Sequence, residues 1–116
     1  MADILQVLTD LEKQSGIPFA YHHFAENESP DPPFIVYLYP DTDNFGADGK
    51  VYLPVNEVWV ELYTDKKDPA AEALVEQALA DAGIFWEKHE TWIREERLYE
   101  VSYEFEEVVK NEQEEE

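Results

Sequence analysis

The chain has 116 residues, no cysteine and a formal net charge of −20, with 44% hydrophobic and 14% aromatic residues. This length predicts one domain, and the aromatic content favours a folded protein over a disordered acidic chain. The negative charge argues against specific nucleic-acid binding and against anionic membranes, and the missing cysteines exclude disulfides and thiolate metal sites. We therefore expect a soluble, intracellular protein.

The first third of the chain predicts one helix and two strands. An apolar stripe from Ile4 to just before Gly16 is typical of a short amphipathic helix. Phe19–Phe24 is a strand candidate, and the prolines of residues 25–33 predict a loop. Phe34–Tyr39 is apolar on both faces, which indicates an interior strand.

The segment Asp41–Asn56 has turn chemistry around a short strand-like piece, Lys50–Leu53, and predicts an excursion away from the sheet. It begins like a calcium-binding loop, with carboxylates at its first and third positions and Gly46 at its sixth. The pattern then fails, because Phe45 and Tyr52 stand where oxygen ligands are needed. An ordinary aspartate-rich turn is the better interpretation.

The centre of the chain predicts a strand, a helix and a second strand. Val58–Thr64 alternates between apolar and mixed positions, Asp68 can cap a helix that begins at Pro69, and Gly83 can end it. A second strand follows from Ile84 to Ile93. The apolar stripe of the helix comprises Ala71, Leu74, Val75, Ala78, Leu79 and Ala82, opposite polar residues that include Glu72, Glu76, Gln77 and Asp81.

The last strand, Leu98–Val108, has the clearest alternation. Its odd positions from Tyr99 to Phe105 are apolar, and its even positions are mostly acidic, so one face belongs to the core and the other presents Glu100, Glu104 and Glu106. The element order α-β-β-β-α-β-β predicts an α+β fold, a largely antiparallel sheet with two helices against one face. We expect this single domain over residues 1–109 and a disordered acidic tail over 110–116.

No motif in the sequence points to catalysis or to a cofactor. His22 and His23 are adjacent, so on a strand they would point to opposite faces, and their spacing from His89 matches no metal-binding pattern. The chain contains no nucleophile elbow, no P-loop and no dinucleotide-binding glycine pattern. We therefore expect no enzyme, no cofactor and no specific metal site.

Aromatic residues exceed what one small core can hold, which indicates a contact with another chain. The alternative is that the first helix and the long loop cover the second face of the sheet, and the sequence leaves both possibilities open. The candidate interface residues are Tyr37, Tyr39, Phe45, Trp59, Tyr63, Trp86 and Trp92.

Several stretches resemble the small tail-completion proteins of long-tailed bacteriophages and prophages, which are tail-terminator or tail-to-head joining proteins. They are Pro33–Tyr37, Asp43–Asp48, Val58–Asp68 and Leu98–Phe105, and the most specific is the run VELYTDKKD that ends at Asp68. The resemblance covers roughly residues 17–105.

This resemblance implies an α+β subunit that forms a ring, commonly a hexamer, at the head-proximal end of the tail tube. Its partners would be further copies of itself, the tail-tube protein and the connector proteins of the head or neck. It would reside in the virion tail or neck, and in the bacterial host cytoplasm before assembly. The loop Asp41–Asn56 would be a docking arm, and Glu100, Glu104 and Glu106 could line the opening.

A different class of function is also compatible with the composition. A small protein with a net charge of −20 could be a DNA mimic, in which rows of carboxylates occupy the basic groove of a DNA-binding protein. Neighbouring capsid and tube genes would favour the tail protein, whereas a defence-linked operon would favour the mimic. A metal-dependent enzyme that uses His22 and His89 is a third and weaker possibility.

Overall fold

The computed structural model describes residues 3–24, 30–40, 45–47, 50–53 and 55–108. This part of the chain forms two helices and seven strands, an α+β fold in the predicted order with one additional hairpin. The elements are α1 (Ile4–Ser15), β1 (Phe19–Tyr21), β2 (Phe34–Leu38), β3 (Phe45–Ala47), β4 (Lys50–Leu53), β5 (Val55–Thr64), α2 (Pro69–Asp81), β6 (Glu87–Ile93) and β7 (Leu98–Val108).

Five strands form one sheet in the order β1-β2-β5-β7-β6. Only β1 and β2 are parallel; the other neighbours are antiparallel, as the sequence predicts. The longest pairing runs along the whole of β5, from Val55 opposite Val108 to Thr64 opposite Tyr99. The two long central strands therefore fix which side chains share a face.

Both helices pack on the same face of this sheet, which confirms the predicted architecture. β5 directs Val58, Val60 and Leu62 into the core, and each of these side chains is fully buried. β7 adds its odd positions to the same layer. The helices close the core with apolar residues, which are Ile4, Leu8 and Leu11 from α1 and Ala71, Val75 and Leu79 from α2.

The helix ends follow the capping rules that the sequence indicates. The Asp3 carboxylate accepts a hydrogen bond from the backbone N–H of Leu5, and α1 ends at Gly16 with a left-handed backbone (φ 79°). α2 begins at Pro69 behind Asp68, whose carboxylate accepts a hydrogen bond of 3.1 Å from the N–H of Ala71. Both starts satisfy a donor that the helix itself leaves open.

We expect Asp68→Ala to lower the free energy of unfolding by about 0.5–2 kcal/mol, because the N–H of Ala71 loses its acceptor. Thermal or urea denaturation measures this effect. Asp65→Ala is the matched control, since Asp65 is an exposed residue of the same loop. Equal stabilities of the two variants would show that the Asp68 cap is energetically unimportant.

The buried stripe of α2 differs from the prediction at two positions. Leu74 is exposed, whereas Glu72, predicted on the polar side, is 4% exposed. Glu72 is buried because two lysines reach it, Lys67 at 2.9 Å and Lys88 at 2.8 Å. Burial alone would raise the pKa of the Glu72 carboxyl, but the hydrogen bonds from Lys88 and Lys67 outweigh burial and hold that pKa below its ordinary value.

Three predicted strand boundaries are wrong. β1 stops at Tyr21 rather than Phe24, because His22 has a left-handed backbone (φ 66°) that turns the chain out of the sheet. β5 starts at Val55, ahead of the predicted start, where Val108 is available as a partner. β6 starts at Glu87 rather than Ile84, because its pairing with β7 begins with Glu87 opposite Glu104.

The predicted excursion between β2 and β5 is present as a separate structure. β3 and β4 pair with each other in a two-stranded antiparallel sheet that does not join the main sheet. The glycine turn predicted at residues 48–49, the aspartate-rich turn at 41–44 and the acidic tail at 110–116 lie outside the described residues.

Candidate interaction surface

The face of the five-stranded sheet opposite the helices is the candidate functional surface, and we call it the open face. The even positions of β7 point to it, as the alternation predicts, and they pair with the odd positions of β5. Two positions bring glutamates of neighbouring strands directly opposite each other. Glu57 of β5 faces Glu106 of β7, and Glu87 of β6 faces Glu104 of β7. Directly opposed like charges destabilise a sheet, so this arrangement costs free energy.

The centre of the open face holds two carboxyl groups around one phenol. The Tyr63 hydroxyl lies 3.0 Å from Glu61 Oε1 and 2.8 Å from Glu100 Oε2. A hydroxyl has a single proton and can donate to only one carboxylate at a time. The second contact is therefore a hydrogen bond only when one of the two carboxyl groups holds a proton and donates it to the Tyr63 oxygen.

The environment of Glu61 favours that protonated form. Burial and the neighbouring Glu100 carboxylate raise the pKa of the Glu61 carboxyl to about 7, and Glu104 adds to the effect. Burial and the hydrogen bond to Glu100 also raise the pKa of the Tyr63 phenol far above its usual range, so this phenol stays neutral. The central group of the open face thus changes its charge near neutral pH.

Two of the predicted interface aromatics lie on the open face. Tyr63 stacks on Phe34 with ring centroids 5.1 Å apart. Trp59 is half-buried and lies directly opposite Glu104 of β7. Its indole Nε1 is buried and has no hydrogen-bond partner in the described structure. An indole N–H that is left without an acceptor is uncommon inside a folded domain.

The other predicted interface aromatics are placed elsewhere. Tyr37 is 8% exposed and belongs to the core, and Tyr39 is partly buried against the same cluster. Trp86 is half-buried against Tyr103, whereas Trp92 on β6 is 47% exposed. Phe45 lies in β3, and its side chain is outside the described part of the structure.

The adjacent histidines do not point to opposite faces as the sequence suggests. The chain leaves the sheet at His22, so the Nδ1 atoms of His22 and His23 lie 3.1 Å apart, and one ring can donate to the other. His89 is on β6, where its Nε2 lies 3.7 Å from Glu104 Oε1. Within the described ranges, no group of three or more histidine, aspartate or glutamate side chains is arranged to hold a metal ion.

Sequence reasoning missed the most exposed large apolar side chain of the described structure. Phe85 is 90% exposed. The pattern Ile84–Ile93 placed it inside a strand, but residues 84–86 precede β6 and have no strand partner to cover them. Phe85 lies two residues after the left-handed Gly83, and its neighbours Ile84 and Trp86 pack against the core, so the sequence carried no signal that Phe85 is exposed.

Comparison with known proteins identifies the fold. No protein-family model and no curated protein sequence matches the chain. Among solved structures, a chain from the virion of a native gene transfer agent particle has a similar fold, with a TM-score of 0.66 and 14% sequence identity over 93% of this chain and 92% of that chain. At this identity the likeness is one of fold. Neither helix of the described structure is long and apolar enough to cross a membrane.

Proposed function

We propose that this protein is a structural subunit of a phage-like virion, of the tail-terminator or head–tail joining type, that forms a ring at the head-proximal end of the tail tube. The observation that carries this proposal is the fold shared with a chain of a gene transfer agent virion over nearly the full length of both chains. The sequence resemblance to tail-completion proteins points independently to the same kind of particle.

The open face suits the opening of such a ring. Its carboxylates, which include Glu100, Glu104 and Glu106, would repel the phosphate backbone and let DNA pass without adhering. This role requires no catalysis and no cofactor. The partners would be further copies of the subunit, the tail-tube protein and the connector proteins of the head or neck.

The β3–β4 hairpin is the part of the subunit best placed to contact a different protein. It stands outside the main sheet, so a partner could pair with it without disturbing the core. We assign it to the contact with the tail tube or the neck, as the resemblance implies for this segment.

Electron microscopy of tail tubes tests the proposal. Tube protein from the same genome is polymerised with and without the purified protein, and we expect added protein to stop elongation and to leave a ring at one tube end. Tubes that grow to the same lengths and have bare ends at saturating protein would contradict the proposed function.

DNA mimicry is the second candidate, and the carboxylates spread over β5, β6 and β7 on the open face favour it. A mimic binds a basic partner through charge complementarity and does not need to assemble with itself. The tail-tube experiment, together with the mass of the protein and its effect on DNA binding by a basic protein, separates the two candidates. A protein that stays monomeric, leaves tubes bare and displaces DNA from a basic DNA-binding protein would be a mimic.

A further inference from the structure

Phe85 forms an apolar knob within an acidic collar. A benzyl side chain that is 90% exposed buries almost nothing in the subunit, so the fold does not require it. It borders a cavity of about 280 Å³ whose lining includes Glu57, Glu87, Glu104 and Glu106 and no lysine or arginine among the described residues. Such a knob gains free energy only when another surface covers it.

The opposite end of the open face contains an aromatic hole. This cavity of about 270 Å³ is lined by apolar side chains, which are Phe24, Phe34, Val36, Tyr63, Ile93 and Leu98. Its wall is preformed, because the ring of Phe24 meets Phe34 edge-on at 5.5 Å and Phe34 stacks on Tyr63. A cavity of about 150 Å³ is enough to hold a benzene ring.

The charges around the knob and the hole differ, because cationic side chains stand near the hole and none of the described ones lines the cavity beside the knob. His22 and His23 form part of the rim of the hole together with Glu96. The turn between Ile93 and Leu98 carries Arg94 and Arg97, which are exposed and take no part in any ion pair among the described residues. This turn also contains two glutamates, so its end of the sheet is mixed in charge, whereas the collar around Phe85 is acidic.

The knob and the hole of one subunit cannot meet. Phe85 precedes the first residue of β6, and Ile93 is the last residue of that strand. A strand of this length spans about 20 Å, since each residue advances roughly 3.3 Å. A knob of one copy that enters the hole of another makes a head-to-tail contact, and such contacts produce rings when the rotation closes.

We propose that Phe85 of one copy inserts into the hole of the next copy, and that this contact builds the ring. The occupant of the hole is thus a second copy of this chain, with the acidic collar of Phe85 near the turn that carries Arg94 and Arg97. This inference rests on the proposed ring-forming function and adds the residues that join the subunits.

Truncation of the knob tests the contact. We expect Phe85→Ala to weaken association by about 30-fold or more, the effect of losing an interface hot spot, while the thermal midpoint of the monomer stays unchanged. The matched control is Leu5→Ala, because Leu5 is 50% exposed on α1 and borders neither cavity. Sedimentation velocity over a concentration series measures association.

Mixing two defective subunits gives a second readout. Ile93→Glu places a charge in the hole and leaves the knob intact, whereas Phe85→Ala removes the knob and leaves the hole intact. We expect each variant alone to be a folded monomer by circular dichroism and sedimentation. An equimolar mixture should form a one-to-one dimer and no ring, because only one working contact remains.

The outcomes separate this inference from the proposed function. If the wild type forms rings and Phe85→Ala forms them equally well, the contact is wrong and the ring-forming function stands. If both single variants are folded and their mixture stays monomeric at the concentrations where the wild type assembles, the contact is also wrong. A wild type that remains monomeric at all concentrations and on tail tubes would overturn both.

Discussion

Glu61→Gln is expected to stabilise the protein at pH 8 and to have a much smaller effect at pH 5. The folded-state pKa of Glu61 is raised to about 7 from an ordinary value of 4.5, because burial and Glu100 oppose its ionisation. A raised pKa means that the stability contribution of the protonated group is fully present below pH 4.5 and is lost as pH rises through 7. Glutamine resembles the protonated carboxyl at every pH.

The expected gain at pH 8 is about 1–3 kcal/mol, since one pKa unit corresponds to about 1.4 kcal/mol and part of the shift is screened by solvent. Thermal unfolding at pH 5 and pH 8, at concentrations where the protein is monomeric, measures it. Glu57→Gln is the matched control, because it removes a carboxylate from the same strand and face without touching Tyr63. A gain at pH 5 as large as at pH 8 would contradict the raised pKa of Glu61.

The protonation state of Glu61 is also expected to affect assembly. Glu61, Tyr63 and Glu100 lie on β5 and β7, and Glu104 and Ser102 of β7 and His89 of β6 complete their polar surroundings on the open face. Tyr63 lines the hole that Phe85 of the next copy would enter, so this group lies beside the proposed contact. Protonation of Glu61 below pH 7 would then remove one charge per subunit next to that contact.

The elements with strong periodicity could be predicted from the sequence. The alternation of β7 placed Val101, Tyr103 and Phe105 in the core and the glutamates on the other face, and the structure agrees. The helix caps at Asp68 and Gly16 could also be predicted from the sequence, because their side-chain and backbone requirements are local. Local chemistry and period-two patterns do not depend on which strands become neighbours.

The features that depend on tertiary partners could not be predicted. Glu72 looked solvated because nothing in its own helix shows that Lys67 and Lys88 converge on it. Phe85 looked like a strand residue because the register that starts β6 at Glu87 is set by β7. The joint contact of Tyr63 with Glu61 and Glu100 likewise needs the pairing of two strands that are 37 residues apart at that contact.

Subunit assembly should become stronger as salt is added, and this is the largest effect that we expect. Each copy has a net charge of −20, so the copies repel one another. The Debye length falls from about 10 Å at 0.1 M salt to about 3 Å at 1 M, which screens this repulsion. The apolar contact of Phe85 is not weakened by screening.

The most direct test of a ring-forming virion subunit is therefore the mass of the purified protein in solution between 50 mM and 1 M salt, measured by light scattering. We predict a monomer at low salt and a closed ring of defined mass at high salt, with Phe85→Ala monomeric throughout and Leu5→Ala like the wild type. A single monomeric mass at every salt and protein concentration, with no capping of tail tubes, would contradict a ring-forming subunit and favour DNA mimicry.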